Sequence, residues 1–218
     1  LQVIVYAIVF PYLMRGTGDD YLVYLATGII QWTFFQMTLV SCVGSIKANS
    51  GIIKKVYFPR EILPISIVLS GLINFFISCI IILLFCIGYG VGISWHLVFV
   101  PVFAILQAIL TLGLGLILSA ITAYVQDLEY IINFLLMLGF YGTPVVYKLE
   151  MFASNSILIT LVRYNPLTII LNGYRNAFLY HAVPGMHSLI VLAIMSFAVL
   201  AVGMLTFKKL EKGFAEQF

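Results

Sequence analysis

Five stretches of this chain each run about the length of a membrane crossing without a single Asp, Glu, Lys or Arg: Tyr21–Ile46, Ile62–Gly90, Leu97–Val125, Ile131–Tyr147 and Leu189–Phe207. A bilayer core of about 30 Å takes about 20 helical residues, each rising about 1.5 Å. Hydrocarbon offers no partner to a backbone N–H or C=O, so an uncharged apolar run of that length has to satisfy itself as a helix. Ile131–Tyr147 lies near the lower limit of length. Composition agrees, with 63% of residues hydrophobic, 9% charged and a mean hydropathy of +1.14. A soluble domain carries roughly 25% charged residues. Lipid has to cover most of this chain.

A sixth apolar piece, Leu1–Met14, would rise only about 21 Å as a helix. It is apolar from its first residue, so it reads as the outer part of a span whose inner part precedes it. The expected fold is therefore an all-α integral membrane protein with six transmembrane helices, the first truncated at its N-terminal side. No repeat, low-complexity tract or soluble domain is visible, so residues 1–218 read as one membrane domain.

Basic residues set the orientation, because cytoplasmic loops carry the excess of Lys and Arg. Lys47, Lys54, Lys55 and Arg60 fall in one loop, and Lys208, Lys209 and Lys212 in the C-terminal tail. With alternating spans these two regions share a side, which places both chain ends in the cytoplasm. The other side holds Arg15, Lys148, Arg163 and Arg175. Between Lys148 and His187 lie two short apolar runs, Ile157–Val162 and Leu167–Leu171, broken by Arg163, Asn165 and Pro166. Neither crosses a membrane, and Arg163 at mid-depth would cost about 2.5–3.5 kcal/mol on insertion scales. A pair of short re-entrant helices on the outer side fits better than a span.

The chemistry missing from the sequence is as informative as what it contains. Ion-coupled transporters usually carry an ionisable group within a span, and these five spans have none. Their polar residues, Gln31, Gln36, Asn74, Gln107 and Asn133, read mainly as helix-to-helix hydrogen-bonding groups. There is no GxxxxGK[ST] loop for nucleotide, no HExxH and no GxSxG. Cys42, Cys79 and Cys86 lie in apolar runs without metal or redox spacing and read as small buried hydrophobes. His96, His181 and His187 have no spacing that puts two on one helix face. Asp19 and Asp20 read as a solvated turn. No metal site is expected, and a net charge of +3 gives no reason to expect a nucleic-acid partner.

The loop KANSGIIKKVYFPREILP, residues 47–64, carries the most information. Asn49, Ser50 and Gly51 break the preceding helix. Ile52, Ile53, Val56, Tyr57 and Phe58 are too apolar for a solvated loop. They suit either a short helix docked in a groove of a cytoplasmic partner or a basic helix lying on anionic headgroups. The other inner turn, residues 126–130, holds Asp127 and Glu129. Asp127 either caps the following helix, the simpler reading, or pairs with a basic residue such as Lys54 or Arg60.

Three motifs in register with the spans, KKVYFPREILP, VQDLEYIINFLLMLGFYGTPVVY (Val125–Tyr147) and RYNPLTIILNGYRNAFL (Arg163–Leu179), resemble the type-two ABC exporter permeases. Within that family they look most like the branch that exports lipid-linked polysaccharides: O-antigen, capsule and teichoic acid. The resemblance covers nearly the whole chain. It implies a homodimer of permeases in the bacterial cytoplasmic (inner) membrane, with two separate nucleotide-binding subunits beneath. This chain would bind no cofactor; ATP and Mg²⁺ would sit on the partner. The coupling element would be Lys54, Lys55, Val56, Tyr57, Phe58, Pro59, Arg60 and Glu61, with Asp127 and Glu129 close to the same interface.

The resemblance also implies an outer gate at Tyr164, Asn165, Pro166 and Arg175, and a channel between two permeases lined by the first and fifth spans. That points to the face of Val3–Phe10 and of Asn133–Tyr141. There Tyr6, Phe10, Phe134, Phe140 and Tyr141, beside Asn133, offer surfaces for sugar rings. Family members begin with a cytoplasmic amphipathic helix and a complete first span, which would lie before Leu1. A permease for drugs or other lipids keeps the same fold with a different cargo. An ion-coupled secondary transporter is a separate class.

Overall fold

The computed structural model describes residues 21–53, 55, 56, 58–125, 127–148 and 157–214, with side chains throughout except at 157–159. The expected span Leu1–Met14, its residues Tyr6 and Phe10, and the loop residues Lys54 and Tyr57 lie outside the described residues.

The described residues form helices and connecting turns, with no strand. In chain order the helices are α1 (Tyr21–Ala48), α2 (Ile62–Gly88), α3 (Phe99–Thr122), α4 (Leu128–Gly142), α5 (Ile157–Tyr164), α6 (Pro166–Arg175) and α7 (Met186–Leu210). Single helical turns at Ser50–Ile53, Trp95–Val98 and Glu211–Gly213 join or extend them, and a wider turn at Asn176–Tyr180 follows α6. Among the described residues four helices are long and apolar enough to cross a membrane: Tyr21–Ala48, Ile62–Gly88, Trp95–Thr122 and Met186–Gly213. These coincide with four of the expected spans.

The fifth expected span, Ile131–Tyr147, is shorter and shifted. Helix α4 covers 15 residues, a rise of about 22 Å. It starts earlier than expected because Glu129 in its first turn suits the positive end of the helix dipole. It stops at Gly142 because Pro144 follows Thr143. A residue before proline is driven out of the helical region, and Thr143 is extended at φ −106 and ψ 138.

Helix α3 is the hub, touching α1, α2, α6 and α7, whereas α4 packs chiefly on α1. The α3–α7 crossing is closed by Gly113 and Gly203. A Cβ on Gly113 would sit 2.6 Å from the Leu200 nitrogen and 2.7 Å from the Val199 carbonyl carbon. Only small residues let backbones come so near, which is how helices associate where water no longer drives them together. Inside the bundle the Gln107 amide donates to the Gln31 carbonyl at 3.1 Å and accepts from the Tyr174 hydroxyl at 3.1 Å. Gln107 thus serves helix contact, as its sequence context suggested.

Candidate functional site

One end of the bundle is built around the segment between α1 and α2. After α1 the turn Ser50–Ile53 buries Ile53 among Ile46, Leu116, Ala120, Ala123, Phe207 and Phe214. Its neighbours face outward: Ile52 is 54% and Val56 57% exposed, and Lys55 is exposed beside them. Arg60 turns the other way. Its guanidinium donates to the Glu211 carbonyl and lies 5.6 Å from the centroid of the Phe214 ring. Tyr124 completes this knot by donating to the Leu210 carbonyl at 2.7 Å. An open cleft of about 430 Å³ remains, lined by Phe58, Pro59, Arg60, Glu61, Glu211 and Lys212.

The capping role anticipated for Asp127 does not take the expected form, and a pairing with Lys54 falls outside the described residues. Asp127 occupies the position before α4, but in a helical conformation, and its side chain accepts no capping bond. Its carbonyl instead receives the Tyr130 and Ile131 amides. Arg60, one of the two bases considered for pairing with Asp127, is committed to the C-terminal segment. Glu129 approaches α1, with its Oε1 3.4 Å from where a Cβ on Gly44 would stand.

Helix α4 buries only Ile132 and Leu136, both against α1. Asn133 is exposed and its amide donates back to the Glu129 carbonyl at 2.8 Å. Phe134 and Tyr141 are 58% and 69% exposed. Phe140 is half-buried, edge-on to Trp32 at 5.7 Å and to Tyr141 at 5.4 Å. Between α1 and α4 runs a groove of about 250 Å³, whose lining includes Trp32, Gln36, Met37, Met137, Phe140 and Tyr141. The Trp32 indole N–H donates to Gln36 at 2.9 Å. On the other side of Met37 a polar furrow separates α1 from α2, where Ser66, Ser70, Asn74 and Ser78 recur every fourth residue opposite Thr33 and Ser41. Sequence reading singled out Asn74 and Gln36. It missed the serines, although their spacing of four was visible.

At the opposite end of the bundle, Asn165 accepts from the Leu167 amide at 3.0 Å and Pro166 occupies the first turn of α6, a capped helix start. Tyr164 is exposed. Arg175 is 2% exposed, with its guanidinium carbon 3.4 Å from the centroid of the Tyr24 ring. Burial pulls its pKa down to about 10, offset by Tyr24, Tyr180 and Tyr21, so it stays charged at neutral pH. It donates to the carbonyls of Pro144 and Val145, each at 2.8 Å.

The sequence model of the ABC-2 type transporter family matches residues 1–179, which includes the loop between α1 and α2, α4 and the α5–α6 pair. The chain belongs to the ABC-2 type transporter family. As a member of that family it is a multi-pass membrane protein and the transport component of its system. It is similar to O-antigen export system permease proteins RfbA of Myxococcus xanthus, at 31% identity over 216 residues, and of Klebsiella pneumoniae, at 33% over 218 residues. Each comparison covers 99% of this chain and 83% of the relative.

Within this ABC-2 fold the anticipated residues fall at separate levels. Lys55, Val56, Phe58, Pro59, Arg60 and Glu61 share one end of the bundle with Glu211 and Lys212. Asn133, Phe134, Phe140 and Tyr141 lie along α4, and Asn165, Pro166 and Arg175 lie on the hairpin α5–α6. What the sequence did not single out is what Arg60 and Arg175 hold: Phe214 and Glu211 in one case, Tyr24, Pro144 and Val145 in the other.

Proposed function

We propose that this chain is the permease subunit of an ABC exporter that moves lipid-linked polysaccharide, of the O-antigen, capsule or teichoic acid class, across the bacterial cytoplasmic membrane. The observation that carries this reading is similarity to O-antigen export permeases over 99% of the chain. In this proposal the permease is a homodimer with both termini in the cytoplasm. Hydrolysis takes place on two separate ATPase subunits, which hold ATP and Mg²⁺.

Three features of the geometry support the reading. Ile52 and Val56, exposed beside Lys55 at the inner end, form the kind of apolar and basic surface that a docked subunit covers. Helix α4 presents Phe134, Tyr141 and Asn133 outward. Aromatic faces with an amide beside them suit sugar rings, which have apolar faces and hydroxyl edges. Helices α5 and α6, of 8 and 10 residues, rise only about 12 and 15 Å, so they fit a re-entrant pair that turns back on the outer side. With the span before Tyr21 the proposed total is six.

The test is depletion of the chain in its native cell. The expected result is loss of surface glycan together with build-up of the lipid-linked glycan on the cytoplasmic side. Surface glycan unchanged on depletion would overturn the proposal. Export that continues without ATP but stops when the ion gradient is dissipated would reassign the chain to ion-coupled transport.

A further inference from the structure

We infer that Arg175, together with Tyr21 and Tyr24, is a positioning latch that fixes the outer end of α4 to α6, so that the two move as one body. Four consecutive carbonyls beyond α4 carry the argument. Arg175 donates to Pro144 and Val145, the Tyr21 hydroxyl donates to Val146 at 3.1 Å, and the Tyr24 hydroxyl donates to Tyr147 at 2.8 Å. This segment has left its helix, so these carbonyls have no intrahelical partner and need outside donors. The donors come from α1 and α6, and one of them is a buried cation. Such charge-assisted bonds are the stronger kind, and the guanidinium fork reaches two carbonyls at once.

The surroundings are shaped to this purpose. A Cβ on Gly28 would lie 2.7 Å from the Val145 oxygen and 3.0 Å from Arg175 Nη2. A residue larger than glycine at 28 would therefore push this segment and the cation away from α1. The ring of Tyr24 lies under the guanidinium, a favourable stack for a cation removed from water. Helix α6 itself is well seated, with Ile170, Leu171 and Tyr174 fully buried and Tyr174 bonded to Gln107 of α3. The latch thus ties a helix with little packing of its own to one that is anchored on α3. Arg175 faces neither water nor the α1–α4 groove, so it acts through the α4 end rather than on anything passing by.

The experiment uses the full chain in lipid nanodiscs, spin-labelled at Leu138→Cys on α4 and Asn172→Cys on α6, both exposed. Cys42, Cys79 and Cys86 are buried, and protein without added cysteines measures their background. The expected result is one narrow distance distribution, lost in Arg175→Gln and only partly restored in Arg175→Lys, whose ammonium cannot fork. Tyr24→Phe keeps the ring and drops the bond to Tyr147, so it broadens the distribution less. A control pair, Ile105→Cys on α3 with Leu205→Cys on α7, stays narrow in every variant and separates a loosened latch from a lost fold. If Arg175→Gln does not fold, the double change Tyr21→Phe with Tyr24→Phe carries the same test. A 138–172 distribution that stays narrow without the latch, or a control pair that broadens equally, would overturn the inference. No cargo, nucleotide or partner enters the measurement, so its outcome is separate from that of the export proposal.

Discussion

The crossing of α3 with α7 and the seat of α4 on α1 are both helix contacts in one bundle, built on opposite plans. At the first, Gly113 and Gly203 bring backbone against backbone, and the faces turned outward are mainly aliphatic: Ile105 on α3, Ile190, Ile194, Val202 and Leu205 on α7, with Phe197 among them. At the second, α4 rests on two buried residues and turns Tyr130, Asn133, Phe134 and Tyr141 outward among Ile131, Leu135, Met137 and Leu138. Aliphatic faces suit lipid chains. Aromatic and amide groups suit a partner or a polar solute. The difference divides the molecule into a fixed block and a lightly seated helix that is tied at the segment following it.

Breaking the block has the largest expected effect. Gly203→Leu drives a side chain into the α3 backbone, which no rotamer change relieves, and costs about 3 kcal/mol or more. Loss of the monodisperse peak in detergent chromatography and a collapsed melting transition are the expected readings. Releasing the light helix comes next. Arg175→Gln removes charged bonds to two buried carbonyls and lowers stability by about 2 kcal/mol, read as a lower melting temperature with the helix content retained. At the inner end, Tyr124→Phe frees the Leu210 carbonyl and costs about 1 kcal/mol. Protease should then cut the C-terminal segment faster while the bundle stays intact.

The smallest effect on stability falls on the outward face of α4. Phe134→Ala and Tyr141→Ala should each shift stability by less than about 0.5 kcal/mol, as for exposed positions, yet slow export in intact cells. A large loss of stability from either change would mean that α4 is part of the block, and the comparison would fail.

Four spans were legible in the sequence because lipid enforces a simple rule: long uncharged apolar runs become helices. The rule is blind to what ends a short helix. Tyr147 was taken as the end of a span because residues 145–147 are apolar, but Pro144 had already stopped α4. The candidate site was legible at the level of motifs. KKVYFPREILP pointed to the inner end and RYNP to the outer hairpin, and the structure puts them at opposite ends of the bundle. Pairings were not legible. Nothing in the sequence connects Arg60 to Glu211, or Arg175 to carbonyls about thirty residues earlier, because such contacts depend on how helices cross. Arg175 looked like a charge for an outer aqueous face. It is buried because its guanidinium finds carbonyl partners and a tyrosine ring inside the bundle.

The most direct test of the division into block and light helix is hydrogen exchange, resolved helix by helix, on the permease in lipid nanodiscs. The account predicts that amides of α4, residues 128–142, exchange faster than those of α3 around Gly113. With the ATPase bound and ATP added, further change should be confined to α4 and the loop between α1 and α2. Equal protection of α3 and α4, or a nucleotide response centred on the α3–α7 crossing, would contradict it.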